Sequence, residues 1–340
     1  MFNKKFPYVI AEVGSNHLGK ESLSKKSIIL AKKAGADCVK FQLFDENNLV
    51  NSKLKVYKHV ADKKLKYQYE RFKKVKISIQ QVKLLSNLAK KTKIDFCVTP
   101  FDHSYVDKIK KYVSFFKVAS GDINNYQLLK EIAITKKRVV ISTGMSTMAE
   151  IKKAISFFSK NKVVLLHCMS SYPTLKKNAN LINIQYLRKK FNIPTGYSDH
   201  VPGIETAANS IFFGAKVIEK HFMPKKTHLA GDYKLSVDSL ELKKMIILLK
   251  ENFKIIGKFR DEEFPCEKYS KKTLRRSIYF SKSLKKETLI KKNDFCLLRP
   301  YSKSGIKIEI QSQLIGSKIK KNVICFLIFS LYVIFIILLE

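Results

Sequence analysis

The sequence predicts a (β/α)8 TIM barrel followed by a small, mostly β domain. Short apolar runs with the character of buried strands alternate eight times with helical patterns, which is typical of a parallel sheet closed into a barrel. Polar side chains stand at the carboxyl ends of these runs, where barrel enzymes build their active sites. At 340 residues, the chain exceeds the ~250 residues of an ordinary barrel, which leaves room for a second unit.

The strands are expected to be parallel and buried on both faces, because each is a continuous apolar run and a helix separates it from the next. The first seven predicted strands are Tyr8–Val13, Cys38–Leu43, Asp95–Val98, Phe115–Ala119, Val139–Ser142, Val163–His167 and Thr195–Ser198. The eighth is a run around Val217 and Ile218 that ends at His221.

Helical patterns fill the intervals between these strands. The first helix, Leu23–Ala34, closes at Gly35 as a C-cap glycine. A long polar excursion from Asp45 to Lys76 precedes a helix over 78–91, for which Ser78 is a plausible N-cap. The remaining predicted helices are Tyr105–Tyr112, Gln127–Ile134, Met148–Ser159, Ile184–Lys190, Ile204–Phe213 and Ser239–Ile256, the last of which closes the ring.

The composition argues against a nucleic-acid partner, despite a formal net charge of +38. The excess is almost all lysine, because only seven of the 66 basic residues are arginine. The lysines are spread over every predicted helix together with abundant Ile, Asn and Phe, which indicates a compositional bias rather than a binding patch. No zinc finger or RNP-like motif accompanies them. The charge should still attract anionic, phosphorylated substrates.

Cysteine usage and the amino terminus favour a cytoplasmic protein. The six cysteines are widely spaced and form neither a CxxC motif nor a disulfide-module pattern, as expected in a reducing compartment. Met1–Lys5 leads directly into the first strand, so we expect no signal peptide.

Polar residues at the strand ends indicate a catalytic face. Burying Lys40 or Lys117 beside an apolar run is costly unless an anion pairs with it. His200 and His221, with Asp232 on the following loop, suit a divalent first-row metal that keeps positions open for substrate. Either histidine alone could be merely a polar strand-end residue, but the one-sided clustering argues for function. The cluster comprises Glu12, Lys40, Gln42, Thr99, Lys117, Ser120, Asp122, Ser142, Ser170, Tyr172, His200 and His221.

Eight short motifs in order and register carry a family resemblance. They are IAEVGSNHLG (10–19), VKFQ (39–42), TPFD (99–102), KVASGDINN (117–125), STGM (142–145), LLHCMSSYPT (165–174), GYSDH (196–200) and EKHF…AGD (219–232). The set resembles the sialic acid synthase family, which condenses phosphoenolpyruvate with an N-acetylated hexosamine. The resemblance covers roughly residues 7–320.

The resemblance implies a role for each matching residue. The product would be a nine-carbon sialic-acid-like sugar plus phosphate, made for surface glycans. His200 and His221 would bind Mn²⁺ or another divalent ion that polarises the sugar aldehyde, and Glu12 would handle protons. The phosphate and carboxylate of phosphoenolpyruvate would be held by Lys40, Lys117, Thr99, Ser120 and Ser142, with Ser170 a further substrate-binding candidate. The open-chain sugar would contact Gln42, Tyr172, Asp122 and Asp232.

Two departures from the family pattern fall in the sugar-binding part. Asp122 stands where the family often has the longer glutamate, and Ser171 stands where relatives are often acidic. The acceptor sugar, N-acetylmannosamine or a diacetamido hexose, is therefore left open by the sequence.

Beyond the barrel, short β-like segments resemble the small antifreeze-like (SAF) domain of this family. The predicted organisation is a barrel over 1–262, a linker over 263–272, an incomplete SAF-like domain over 273–322 and a hydrophobic tail over 323–340. Arg299 matches the arginine that reaches the neighbouring subunit's site, which implies a domain-swapped homodimer. The usual glycine-rich turn after it is replaced by Tyr301-Ser302-Lys303-Ser304.

The apolar run Val323–Leu339 leaves two interpretations open. Its 17 residues are just long enough for a membrane-spanning helix, which needs about 17–25. Lys318, Lys320 and Lys321 precede it, as expected of a cytoplasmic flank. A frame change near the end of the gene, replacing the last strand of the small domain, explains the run equally well.

Two alternative functions also remain open at this stage. One is a different, shorter-chain 3-deoxy-ulosonate synthase. The other is a catalytically inactive, membrane-tethered barrel that acts as an interaction protein, suggested by the altered turn after Arg299 and the replaced C-terminus. The presence of every implied metal and phosphoenolpyruvate ligand argues against the second.

Overall fold

Eight parallel strands of the computed structural model close into a barrel in chain order, with the last strand paired to the first. The structure describes residues 6–57, 65–227, 231–303, 305, 308–319 and 321–328. The strands are β1 Tyr8–Glu12, β2 Cys38–Leu43, β3 Asp95–Pro100, β4 Phe115–Val118, β5 Val139–Ser142, β6 Val163–Cys168, β7 Thr195–Asp199 and β8 Val217–His221. The predicted barrel is confirmed.

Helices connect the strands around the outside. They are α1 Glu21–Ala34, α2 Glu46–Leu49, α3 Gln68–Val75, α4 Ile79–Lys91, α5 Ser104–Ile109, α6 Tyr126–Ile134, α7 Met148–Ile155, α8 Ile182–Phe191, α9 Glu205–Asn209 and α10 Ser239–Ile256. The predicted caps are present: Gly35 ends α1 in the left-handed conformation, and the Ser78 hydroxyl accepts from the Gln81 amide at 3.1 Å.

The polar excursion after β2 contains two helices that the sequence pattern did not predict. The first, α2, begins at Asp45, whose carboxylate accepts from the Asn47 amide. The second, α3, buries Gln68 and Arg71 rather than apolar side chains. Without apolar periodicity, a helix leaves no hydrophobic signal in the sequence.

The inward-facing side chains of the strands form two layers inside the barrel, one apolar and one charged. Tyr8 and Ile10 of β1 lie in a core cluster with inward residues of the other strands, among them Cys38, Phe115 and Val217. Because successive side chains of a strand point to opposite faces, Glu12, Lys40, Lys117 and Glu219 continue the same inward rows. The interior is therefore apolar towards the strand starts and charged towards the strand ends.

Gly196→Ala is expected to destabilise the barrel by about 1–3 kcal/mol, the typical result of overpacking a core. A Cβ at Gly196 would lie 2.0 Å from the Val217 carbonyl oxygen of β8 and 2.8 Å from Leu166 Cδ2. Urea denaturation of both proteins measures the change. Gly121→Ala is the control, since its Cβ would meet nothing within 4 Å, and equal midpoints for the two variants would contradict the prediction.

The chain divides into two compact units, Met1–Gly257 and Lys258–Glu340. In the second unit, α11 Lys268–Leu274 covers the second half of the segment predicted as a linker, and Pro265 starts the short 3-10 turn before it. Strands β9 Ser277–Phe280 and β10 Phe295–Leu298 pair in antiparallel fashion. Their core includes Ile278, Phe280, Ile290, Phe295 and Ile319.

The first residues of the C-terminal apolar run belong to this second unit rather than to a separate tail. Val323 is buried in its core, and its backbone exchanges two hydrogen bonds of 2.9 Å with Leu284. Ile328 forms a bridge with Tyr279. The small unit therefore extends past the predicted boundary at 322, while the rest of the predicted tail, 329–340, lies outside the described residues. Within the part of the chain that is described, no helix is both long and apolar enough to cross a membrane.

Candidate active site

Two buried lysines, on strands β2 and β4, both lie close to one carboxylate inside the barrel. Lys40 on β2 and Lys117 on β4 each place Nζ 3.8 Å from an oxygen of Glu219 on β8. Lys40 Nζ also lies 2.7 Å from Glu12 Oε2. Burial by itself lowers the pKa of Lys40, but Glu12 and Glu219 raise it above its ordinary value. For Lys117 burial prevails and the pKa falls.

Glu219 is a site residue that the sequence interpretation missed, although it opens the EKHF motif. Ser198 donates to its Oε1 at 2.8 Å. Burial raises the pKa of Glu219, but Lys117 and Lys40 outweigh this and lower it to about 2. The signal was available: Glu219 is two residues from His221 on one strand, so the two share a face.

Hydroxyl groups complete the surroundings of the lysines, as the sequence predicted. Lys40 Nζ donates to Thr99 Oγ1 at 2.9 Å, and Lys117 Nζ donates to Ser142 Oγ at 2.6 Å. Ammonium groups beside hydroxyls are well suited to bind phosphate and carboxylate oxygens.

A glycine lets two more predicted hydroxyls approach the backbone. The Gly144 amide donates to Ser120 Oγ at 3.0 Å. A Cβ at Gly144 would lie 2.2 Å from Ser170 Oγ and 2.9 Å from Ser120 Oγ. The absence of a side chain at Gly144, after β5, therefore lets the hydroxyls of Ser120, after β4, and Ser170, after β6, approach the same point.

Glu12 is held from two sides. Besides Lys40, Gln42 donates to its Oε1 at 2.8 Å. Complete burial raises the pKa of Glu12, and the nearby Glu219 adds to the rise while Lys40 opposes it. A carboxyl group of raised pKa in a fixed position is suited to act as a general acid or base.

The two predicted metal ligands lie side by side. The ring centres of His200 and His221 are 5.3 Å apart. Two imidazoles that bind one ion at N–metal distances of about 2.1 Å have ring centres about 4.5–5.5 Å apart. His200 Nδ1 lies 2.9 Å from the Met169 carbonyl oxygen, so this nitrogen carries the proton and Nε2 is left as the ligand atom.

His221 has the features of a neutral ligand. Its Nδ1 is buried without a hydrogen-bond partner and lies 3.8 Å from Asp232 Oδ2. Burial lowers the pKa of His221 to about 3. Among the described residues, no group of three or more His, Cys, Asp or Glu side chains is arranged to hold a metal.

Asp232 is positioned by a residue that lies in the polar excursion. Ser15 donates to Asp232 Oδ2 at 3.0 Å. Arg71 of α3 donates to the same serine at 3.1 Å and lies 4.0 Å from Asp232 Oδ1. Arg71 was missed because a polar segment without apolar periodicity gave no reason to single it out.

A cavity of about 610 Å³ opens over this cluster. Its polar lining includes the predicted residues Gln42, Ser120, Ser170, Tyr172, His221 and Asp232, and also Arg71. The remainder is largely an apolar wall formed by Phe44, Leu49, Val50, Tyr57, Phe72 and Phe101. Six of the residues named from the sequence thus meet at one cavity of the barrel unit. The lining does not include Glu12, Lys40, Thr99, Lys117, Asp122, Ser142 or His200. Arg299 is exposed on the second unit.

Asp122→Asn is expected to raise the melting temperature at pH 8 but not at pH 4. Burial raises the pKa of Asp122 from 3.8 to about 6, so the folded state prefers the protonated acid. The carboxyl group therefore favours folding below pH 3.8, and this contribution is lost as pH rises through about 6.

An amide stays neutral and avoids that loss, which we expect to amount to about 1–3 kcal/mol. Thermal unfolding across pH 4–8 measures the difference. Asp107→Asn, at a carboxylate that is 79% exposed, is the matched control. A constant offset between Asp122→Asn and the unmodified protein at all pH values would refute the assignment.

Comparisons with known proteins agree on one family. The model of the NeuB family matches residues 27–261. The chain is 36% identical to the N,N'-diacetyllegionaminic acid synthase of Legionella pneumophila, over 93% of this chain and 91% of that protein. It is 30% identical to the N-acetylneuraminate-9-phosphate synthase of Drosophila melanogaster, over 93% and 92%.

A solved structure of similar fold also belongs to a sialic acid synthetase. It is that of N-acetylneuraminic acid (sialic acid) synthetase from Leptospira borgpetersenii in complex with citrate. It superposes with a TM-score of 0.71 and 32% identity, covering 78% of this chain and 90% of that one.

Proposed function

Because this chain belongs to the NeuB family, we propose that it condenses phosphoenolpyruvate with an N-acetylated amino sugar to give a nine-carbon sialic-acid-like acid and phosphate. The resemblance inferred from eight short motifs is confirmed, and the chain is a synthase-type enzyme. The identity of the small unit as an antifreeze-like domain stays a prediction.

The observation that carries the proposal is the pair of buried lysines with their hydroxyl partners. Lys40 and Lys117 sit beside Thr99 and Ser142, so two separate anionic groups of one small substrate can be bound at once. Phosphoenolpyruvate carries a phosphate and a carboxylate on adjacent carbons. Both ammonium groups are shielded from water, which strengthens their attraction for these groups.

The reaction needs one new carbon–carbon bond and one broken carbon–oxygen bond. Carbon 3 of phosphoenolpyruvate attacks the aldehyde carbon of the open-chain sugar, water adds at carbon 2, and phosphate leaves with the C–O bond electrons. We assign the proton transfers to Glu12, held by Lys40 and Gln42. Gln42, Tyr172, Asp122 and Asp232 would orient the sugar, and Ser120 and Ser170 would bind oxygens of phosphoenolpyruvate.

A divalent ion such as Mn²⁺ fits the adjacent imidazoles of His200 and His221, whose ring centres are 5.3 Å apart. When bound, it would supply Lewis acidity towards the aldehyde oxygen of the sugar. His200 and His221 would hold it, and the Met169 carbonyl and Asp232 would fix the orientation of the two rings. With only two protein ligands, the ion would keep coordination positions open for the sugar.

Phosphate release tests the proposal. Purified protein is incubated with phosphoenolpyruvate and an amino sugar, with and without Mn²⁺, and the product is identified by mass spectrometry. A nine-carbon product that depends on both substrates supports the proposal, whereas condensation of phosphoenolpyruvate with a pentose or tetrose, to an eight- or seven-carbon acid, in place of the amino sugar would indicate a different 3-deoxy-ulosonate synthase. Folded, Mn²⁺-supplied protein that turns over no amino sugar would refute it.

We extend the proposal to a domain-swapped homodimer in which Arg299 of one copy completes the site of the other. Mixing two inactive proteins, His221→Ala and Arg299→Ala, is expected to restore one working site per heterodimer, about half the activity of an unmodified dimer. One site of the heterodimer combines the intact barrel of the second variant with the intact small unit of the first, while the other carries both defects.

Subunit exchange is confirmed separately by native mass spectrometry of labelled copies. His221→Ala mixed with itself is the control. If exchanged heterodimers stay inactive, Arg299 does not act across the dimer.

A further inference from the structure

The loop after β1 holds a buried carboxamide to which the proposed reaction gives no role. Asn16 belongs to the motif IAEVGSNHLG and is 2% exposed. Its Nδ2 donates to the Phe222 carbonyl and to Ser236 Oγ, both at 2.9 Å. Because a carbonyl oxygen can only accept, the nitrogen of the Asn16 amide, and not its oxygen, must face Phe222.

The first of these contacts fixes the backbone directly after His221. Phe222 follows His221, the last residue of β8. The Phe222 amide donates to the Glu12 carbonyl at 2.7 Å, and the Phe222 carbonyl accepts from Asn16. Both backbone polar groups of Phe222 are therefore held by the chain at the end of β1, so His221 keeps its place relative to that strand.

The second contact leads to Asp232. Ser236 Oγ accepts from Asn16 and donates to the Asp232 carbonyl at 2.7 Å. Ser15, the neighbour of Asn16 in the loop, donates to Asp232 Oδ2 at 3.0 Å. Two adjacent loop residues thus hold the backbone and the carboxylate of Asp232, which lies 3.8 Å from His221 Nδ1.

The carboxamide of Asn16 is present despite an unsatisfied acceptor. Asn16 Oδ1 is buried and has no hydrogen-bond partner among the described residues. A buried acceptor without a partner lowers stability, and an apolar side chain of the same shape would avoid this loss. Both hydrogens of Nδ2, in contrast, are donated. The double donation is therefore the feature that requires an amide at this position.

From these contacts we propose that Asn16 is a positioning residue for the cation site, and that its two donated hydrogen bonds hold His221 and Asp232 in the arrangement that binds a divalent ion. Asn16 acts through Phe222 and Ser236, not by contact with the ion. The inference rests on the proposed function, since the ion belongs to the same site.

Titration with Mn²⁺, followed by electron paramagnetic resonance of the free ion, tests the inference without turnover. Asn16→Leu keeps nearly the same side-chain shape, removes both donors and introduces no charge. It is expected to weaken Mn²⁺ binding about 10–100-fold, the usual effect of losing a group that orients a metal ligand.

The affinity for phosphoenolpyruvate separates positioning from general damage to the fold. It is measured by equilibrium dialysis at saturating Mn²⁺. In Asn16→Leu it should stay within a factor of about three, because Lys40 and Lys117 lie on other strands and share no partner with Asn16. A fold damaged as a whole would lose affinity for both ligands.

Asn252→Leu is the matched control. Asn252 on α10 is also buried, and its Nδ2 donates to the Ala208 carbonyl at 3.1 Å and to Asn209 Oδ1 at 3.2 Å. The same substitution there removes the same kind of double donation between two outer helices. The melting temperature should fall in both variants, whereas Mn²⁺ affinity should fall only in Asn16→Leu.

Ser236→Ala is a smaller change that serves if Asn16→Leu does not fold. It removes only the link between Asn16 and the Asp232 carbonyl, and it is expected to weaken Mn²⁺ binding several-fold. The double variant should lose no more Mn²⁺ affinity than Asn16→Leu alone, because both changes break the same chain of contacts.

Unchanged Mn²⁺ affinity in Ser236→Ala and in folded Asn16→Leu would overturn the inference. Equal losses of Mn²⁺ affinity in Asn16→Leu and Asn252→Leu, or equal losses of Mn²⁺ and phosphoenolpyruvate affinity, would do the same. So would an unmodified protein that binds no divalent cation. The proposed function is judged separately by phosphate release. Turnover with unchanged Mn²⁺ affinity in the variants refutes only the inference, and the expected losses without turnover by the unmodified protein refute only the proposed reaction.

Discussion

His221→Ala is expected to abolish binding of a divalent cation and to reduce the rate of product formation by more than about 100-fold. Changes to groups that merely support a metal ligand already cost about 10–100-fold in affinity or activity, and this change would remove one of the two proposed ligands outright. His200 alone, held at 2.9 Å by the Met169 carbonyl, offers a single imidazole. Direct titration of metal-free protein with Mn²⁺ measures the loss.

The control for this prediction is a second buried histidine of the same barrel. His167 on β6 stacks on Tyr197, and its Nε2 lies 2.8 Å from the Ala179 carbonyl, so it has a structural partner. His167→Gln should keep Mn²⁺ affinity within a few-fold of the unmodified protein. Retention of cation binding by His221→Ala, with circular dichroism showing a folded barrel, would remove His221 from the metal site.

Lys220→Met is expected to lower the free energy of unfolding by about 3–5 kcal/mol, the usual cost of leaving one partner of a buried ion pair alone. Lys220 Nζ lies 2.8 Å from Asp199 Oδ2, and both side chains are 0% exposed. The ammonium also donates to the Val201 carbonyl. Because Asp199 and Lys220 precede His200 and His221 directly, the pair ties the two strand ends together.

Two further variants isolate the uncompensated charge as the cause. Lys216→Met, at an exposed lysine just before the same strand, should change stability by less than about 0.5 kcal/mol. The double variant Asp199→Asn/Lys220→Met should be more stable than Lys220→Met alone, because no buried charge is left unpaired. Chemical denaturation measures all three. If Lys220→Met matched Lys216→Met, the buried pair would have no net role in stability.

The strand-end chemistry could be read from the sequence because it depends on two local regularities. Side chains alternate along a strand, so Lys40, Lys117 and His221 had to share a side with the inward apolar residues before them. Parallel strands of one barrel also end on one face. Together these rules predicted that distant motifs meet at one end of the barrel without any knowledge of their contacts. The structure bears this out, because Lys40 and Lys117 both lie 3.8 Å from Glu219, on the strand that ends at His221.

Which groups pair with one another was decided only by tertiary structure. Glu219 lies between Lys40 and Lys117 because barrel closure brings β8 opposite β2 and β4. Nothing in the alternation of one strand distinguishes such a shared carboxylate from any other inward residue. The electrostatics of the site, including the lowered pKa of Glu219, depend on these long-range distances.

The path of the segment after β2 was likewise invisible in the sequence. Helices α2 and α3 hold their places through buried polar groups such as Arg71, so the usual apolar stripe is missing, yet Leu49 of α2 and Phe72 of α3 are part of the cavity's apolar wall. The sequence by itself determined the barrel and the catalytic face, since both follow from local periodicity. The tertiary structure decided which charged groups pair and which residues form the apolar wall of the cavity. Both depend on where barrel closure and the irregular segment after β2 bring residues that are distant in sequence.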